Sequence, residues 1–236
     1  PCLYRKDMMT DTIIRPLADS GKIRIAWCVE RTARLGPHNR FALWVQGCLR
    51  NCVGCISPDM QQLDGGRAAD IDYLAELMIN SDTEGVTISG GEPFYQADKL
   101  LALLNIVKSK RDDYGVIIYS GFTYDQLINS AEQAVAELLA RHTDLLIDGE
   151  YMQALDDDYG IRGSSNQRVV FLTERYAPFE SRLGEGAARQ ADFFLRENNR
   201  IQMVGVPSQA TKKAIAKINN AAELIAARKI SGKTEE

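Results

Sequence analysis

Short apolar runs alternate along this chain with stretches in which apolar residues recur every three or four positions. The runs at 23–29, 41–46, 86–89, 116–120, 144–148, 168–172 and 201–206 are rich in Val, Ile, Phe and Tyr. They predict strands, because β-branched and aromatic side chains suit a pleated surface. The periodic stretches predict helices. In 71–79, Ile71, Leu74, Ala75 and Met78 share one face. Ala97, Leu100, Leu101, Leu104 and Val107 do so in 97–108, and Leu127, Ile128, Ala131, Val135, Leu138 and Leu139 in 124–140. Thr123-Tyr-Asp-Gln126 has the form of a capping box, a hydroxyl and an amide satisfying orphan N–H groups. A last helix is expected over about 209–228, with Ile215, Ile218, Ala222 and Ile225 on one face, followed by a frayed tail at 230–236. Residues 174–199 are charged and loosely patterned, and read as an irregular excursion with a short helix near Ala187–Leu195.

Strand–helix repetition implies parallel strands joined by helical crossovers. Nearly continuous apolar strands imply a sheet covered by helices. The expected fold class is α/β: an open, partial βα barrel of about six parallel strands with an added N-terminal strand. A doubly wound sheet is the second choice. One domain is expected over 1–236, its core at about 22–206. In either architecture reactive groups gather at the carboxyl ends of the strands. The loops after 41–46 and after 86–89 therefore fall on one rim.

Composition narrows the picture. A net charge of −4 with 25% charged residues gives no basic surplus for binding nucleic acid. No apolar stretch reaches the length of a membrane span, and the N-terminus lacks the basic-then-apolar form of a secretion signal. Five cysteines, three of them packed into eight residues, do not make a disulfide framework. They read as a reduced, cytoplasmic protein with a metal site. Cys28, inside the run 23–29, reads as a small core residue.

The packed cysteines are Cys48-Leu-Arg-Asn-Cys52-Val-Gly-Cys55. Thiolates select zinc, copper or iron–sulfur. Three of them can hold three irons of a cubane and leave the fourth without a protein ligand, which suits a site built to bind and react. The rival is zinc, with His38 as a fourth ligand. The run at 86–89 then ends in Gly90-Gly91-Glu92-Pro93. Glycines let backbone approach a ligand closely, and a carboxylate favours an ammonium.

These two segments resemble the radical S-adenosylmethionine superfamily, with its C-x3-C-x2-C loop and "GGEP" segment. The resemblance implies that Cys48, Cys52 and Cys55 hold a single 4Fe–4S cluster. It also implies that Gly54, Ile56, Gly90, Gly91 and Glu92 line the site of S-adenosylmethionine. The family's chemistry is one-electron cleavage of that cofactor to a 5′-deoxyadenosyl radical, with no catalytic side chains beyond cluster and cofactor. A flavodoxin or ferredoxin donor is expected. The longer string Trp44-Val-Gln-Gly-Cys48 to Cys55 is similar to the anaerobic ribonucleotide reductase activating proteins, which are glycyl-radical activases. So are Tyr119-Ser-Gly-Phe-Thr-Tyr-Asp-Gln-Leu127, Leu146-Ile-Asp-Gly-Glu-Tyr151 and Arg162-Gly-Ser-Ser-Asn-Gln-Arg168. The likeness covers about 22–172. It implies a protein or peptide substrate, with hydrogen taken from a backbone glycine of a partner enzyme.

Ser120 and Asp148 end strands on the rim, where they suit the cofactor; a turn or helix cap is the plainer role for each. Arg162, Ser164, Asn166 and Gln167 are a dense set of donors suited to a substrate carboxylate, phosphate or peptide backbone. Ile56-Ser-Pro-Asp-Met60 departs from the "HNP"-type string that usually follows the third cysteine. Two other functions stay open: a peptide-modifying or small-molecule radical enzyme, such as a deazapurine synthase, and a non-enzymatic metal-sensing module.

Overall fold

The computed structural model describes residues 21–184, 187–195 and 201–218. Cys2, the last helix beyond 218 and the tail lie outside them. The main sheet has seven strands: β1 (Ile23–Thr32), β2 (Arg40–Val45), β3 (Arg67–Ala69), β4 (Gly85–Gly90), β5 (Gly115–Tyr119), β6 (Leu145–Asp148) and β7 (Arg168–Phe171), in the order β3-β1-β2-β4-β5-β6-β7. β2, β4, β5 and β6 are parallel. β1 runs antiparallel to β2 and β3, and β7 antiparallel to β6.

Four parallel strands therefore replace the expected six. The physical reason lies in the connections. Helices α1 (Ile71–Asn80), α2 (Ala97–Lys110), and the pair α3 (Tyr124–Ile128) and α4 (Gln133–His142) lie between the parallel strands. Between β6 and β7 there is only a 3-10 turn at Gln153–Leu155, so the chain returns antiparallel without a crossover helix. The last expected strand forms a separate hairpin, β8 (Ala191–Leu195) with β9 (Ile201–Gly205). The short helix expected near Ala187–Leu195 is thus a strand, as its paired phenylalanines favour. The added N-terminal strand is present as β1. Residues 209–218 are helical, and no described helix is long and apolar enough to cross a membrane.

The single helix expected over 124–140 is two. The Thr123–Gln126 capping box forms and starts α3. Asn129 then ends it, donating its amide to Asp125 O, and the Ser130 hydroxyl accepts from Glu132 N. Both side chains satisfy backbone locally and stop the helix. Ile128 is consequently exposed, off the stripe that Leu127, Val135, Leu138 and Leu139 bury.

The sheet's two faces are covered differently. Phe41, Leu43, Val45, Val86, Ile88, Val116, Ile118 and Leu146 pack under α1, α2 and α4, with Cys28 against the same core. A doubly wound sheet would need comparable helices on the other face, where among the described residues the apolar clusters include only the short helix α5 (Glu180–Leu183). On the other face Ile117, Leu145 and Ile147 meet Tyr176 and Leu183, while Ala42 and Trp44 meet Leu35 and Val204. Trp27 stacks on Trp44 and takes Phe194 against its edge. The segment after β7, including the short helix Glu180–Leu183, thus shields the second face. It is anchored by a buried ion cluster: Asp156 accepts from Arg189 at 2.6 Å and from Lys212 at 2.6 Å. Arg189 also donates to the carbonyls of Arg162, Gly163 and Pro207.

Candidate functional site

The cysteine loop leaves the carboxyl end of β2 and is closed at its base. Gly47 N donates to Met60 O at 2.8 Å, and Cys48 N to Gln61 O at 3.1 Å. The buried Gln46 amide donates to Asp59 O and Gln62 O, so one side chain holds the returning limb. Gln96, just before α2, donates in turn to Gln46 O and Arg24 O. Inside the loop, Cys55 N donates to Cys52 O, and Gly54 stands against the Gln153 side chain. All three thiols are half-buried. Ile56, Leu49 and Val53 are exposed around them.

Gly90 and Gly91 are where the glycine–acid segment touches this stem. Gly91 N donates to Val45 O and Glu92 N to Gly47 O. At Gly90, φ is 110° and an added Cβ would overlap Val45 O; at Gly91 it would overlap Gly47 O. Only glycine lets the two backbones meet. Gly91→Ala should therefore lower stability by about 1–3 kcal/mol, as overpacking does, and lower iron loading with it. Urea unfolding and iron content check this; wild-type values for both would show that the contact is dispensable.

Glu92 is 1% exposed. Its carboxylate accepts from Phe94 N at 3.1 Å, Ser120 Oγ at 2.9 Å and Gly121 N at 2.8 Å. Burial raises its pKa, opposed by those three hydrogen bonds and the field of Arg50. Glu92 and Ser120 thus tie the end of β4 to the end of β5.

Asp148 is also buried. It accepts from Tyr124 N at the start of α3 and pairs with Arg168 of β7. Its partners are within the fold.

The set Arg162, Ser164, Asn166 and Gln167 is turned mainly onto neighbouring loop. Gln167 accepts from Gly163 N and Ser164 N and donates to Gly149 O. Ser164 Oγ accepts from Met152 N, Asn166 donates to Glu150 O, and Arg162 pairs with Asp157. The polar string builds the loop after β6.

Several groups at the rim had no signal in sequence alone. Arg50, inside the cysteine loop, lies over the Phe122 ring and pairs with Glu150. Gln46 and Arg50 are polar residues whose partners are distant in the chain. A glutamine closing the apolar run at 41–46 was the one available hint.

Burial comes first in the electrostatics of the thiols. Together with the fields of Glu92, Cys52 and Cys55 it outweighs a backbone hydrogen bond from Arg50 and pushes Cys48 up to about 11. Cys52 is also raised, by burial and then Glu150, with Arg50 opposing. The bare loop therefore holds Cys48 as a thiol at neutral pH, and a bound metal would displace that proton.

Among the described residues no three His, Cys, Asp or Glu converge as a single metal ion needs. A cubane differs, since each thiolate meets its own iron. His38 sits before the amino end of β2, with the whole strand, roughly 20 Å, between it and the cysteine loop, and it packs edge-on to Phe179. It is not placed to complete a zinc site. His142 ends α4 and bonds Asn105. Three soft donors on an open loop, without a nearby histidine, fit an iron–sulfur group.

Residues 35–170 match the model of the 4Fe-4S single cluster domain, and the chain belongs to that family. Over 145 residues it is 30% identical to the anaerobic ribonucleoside-triphosphate reductase-activating protein of Salmonella typhimurium, covering 58% of this chain and 91% of the relative. The protein of the same description from Escherichia coli is 30% identical over 146 residues, with the same coverage. The pyruvate formate-lyase-activating enzyme of Streptococcus mutans is 37% identical over 82 residues, covering 32% of this chain and 31% of the relative. Within the family, this chain is a radical S-adenosylmethionine enzyme of the glycyl-radical activase group. Its cofactors are one 4Fe–4S cluster and S-adenosylmethionine.

Proposed function

We propose that this protein activates a glycyl-radical enzyme, most closely of the anaerobic ribonucleotide reductase kind, by removing hydrogen from a backbone glycine of that partner. Cys48, Cys52 and Cys55 would hold the cluster, with Gly54, Ile56 and the Gly90–Glu92 edge beside S-adenosylmethionine. Bound together, the two supply a one-electron cleavage that yields the 5′-deoxyadenosyl radical. The chain's own part is to hold and orient. Gln46 and Gln96 fix the base of the cysteine loop, Gly90 and Gly91 press it onto the β4 end, and Glu92 with Ser120 fixes that edge to β5. Asp148, Arg162, Ser164, Asn166 and Gln167 act here as positioning residues for the α3 start and the β6 loop, rather than as direct contacts of cofactor or substrate.

The observation that carries the reading is the juxtaposition of three half-buried thiols with the glycine–acid edge at the carboxyl ends of β2 and β4. The reductase-activating relatives match over 88–91% of their length and the lyase-activating ones over 31–55%, which favours the reductase as partner. A low-potential flavodoxin or ferredoxin would supply the electron, and the setting would be cytoplasmic.

The test is anaerobic reconstitution with iron and sulfide, then dithionite and S-adenosylmethionine, first alone and then with a reductase partner. Formation of 5′-deoxyadenosine and a glycyl radical signal on the partner is expected. Cofactor cleavage without a radical on any glycyl enzyme would instead favour a peptide or small-molecule substrate. No cleavage at all would end the enzyme reading.

A further inference from the structure

Arg50 is a charged residue inside the cysteine loop, two positions from both Cys48 and Cys52. Its side chain is only 16% exposed. The guanidinium lies over the Phe122 ring, 4.8 Å from its centroid, and Nη2 donates to Glu150 Oε2 at 3.0 Å. Its stem crosses Gly121 so closely that an added Cβ there would overlap Arg50 Cδ. Nε is buried without a hydrogen-bond partner. The side chain is thus pinned from three sides, by the end of β5, an aromatic face and the β6 loop, and one of its donors, Nε, remains uncommitted against Gly121.

An arginine stays charged across the accessible pH range. In a mostly dry position its field is weakly screened. A cluster on three thiolates is anionic and gains one further negative charge when reduced. A nearby cation stabilises the reduced form more than the oxidised one, and a nearby anion does the reverse. Arg50 and Glu150 stand on opposite sides of this balance, side by side where the β6 loop meets the cysteine loop.

We propose that Arg50 and Glu150 form a charge pair that sets the potential at which the cysteine-loop cluster accepts an electron, Arg50 raising it and Glu150 lowering it. Both act as positioning residues through their fields and through the hold of Arg50 on the loop. The proposal rests on the cluster-ligand reading of Cys48, Cys52 and Cys55.

The experiment is a redox titration of anaerobically reconstituted full-length protein, followed by electron paramagnetic resonance. Thermal unfolding and iron content are measured on each sample. Arg50→Gln is expected to move the midpoint to more negative potential and Glu150→Gln to less negative potential. The double variant restores charge balance and is expected near wild type, and Arg50→Lys is expected to shift less than Arg50→Gln. Should Arg50→Gln fail to hold a cluster, Glu150→Gln and Arg50→Lys carry the test alone. A purely structural staple predicts shifts of the same sign, or none, in both single variants, and either result overturns the proposal. Wild-type protein that takes up no cluster removes the ligand reading and this proposal together. A wild-type cluster whose potential ignores Glu150→Gln removes this proposal alone.

Discussion

Cys52→Ala is expected to take up iron and sulfide only at background level and to form no 5′-deoxyadenosine above the rate without enzyme. The reason is chemical: the bond from Cys55 N to Cys52 O is backbone to backbone and survives the substitution, so what is removed is the thiol at the contact between the cysteine loop and the Glu150 loop. Its loss leaves two thiols for a group that needs three, and two irons uncapped. Cys28→Ala is the matched control. Cys28 lies on β1 and packs against the helix-covered core, away from the rim. It should cost about 1 kcal/mol of burial and leave iron content and cofactor cleavage as in wild type. A full cluster in Cys52→Ala, by absorbance and iron analysis, would refute the ligand assignment.

The largest effect on stability is expected at the opposite end of the strands. Arg40 is fully buried at the start of β2. It donates to Thr87 Oγ1 at 2.7 Å, Glu84 Oε2 at 2.7 Å, Tyr176 OH at 2.7 Å, Val86 O at 2.6 Å and Gly115 O at 3.2 Å. One guanidinium therefore joins β2, β4, β5 and the segment after β7. Arg40→Met keeps much of the volume but strands those acceptors. Breaking a buried pair typically costs about 3–5 kcal/mol. The lower part of that range is expected, because Glu84 is 24% exposed and keeps Arg175 at 2.7 Å. Urea unfolding measures it, and the loss should be partly recovered in Arg40→Met/Glu84→Gln. A loss below about 1 kcal/mol, the scale of a surface pair, would show that the network carries no stability.

Much of this architecture was legible because the parallel strands are buried on both faces and so read as unbroken apolar runs. β3, Arg67–Ala69, has no such run and leaves no mark in the pattern. β7 and β9 run against the expected direction for another reason: direction depends on whether a helix intervenes, and the loop after β6 looks from sequence like any other polar stretch. At the site, the cysteine spacing and the paired glycines are local patterns and can be read directly. Arg50 with Glu150, and Gln46 with Gln62, depend on where distant segments meet, which no local pattern encodes. Glu92 shows the intermediate case. Its place at the rim was evident, but its three donors, two of them just past the end of β5, emerge only from the fold.

That last arrangement bears on rigidity. Glu92 is bonded through its side chain to the end of β5 and through its N–H to Gly47. The ends of β4 and β5 cannot part without leaving a buried carboxyl group short of its Ser120 and Gly121 donors. The stem of the cysteine loop, held to the same residue, shares that stiffness.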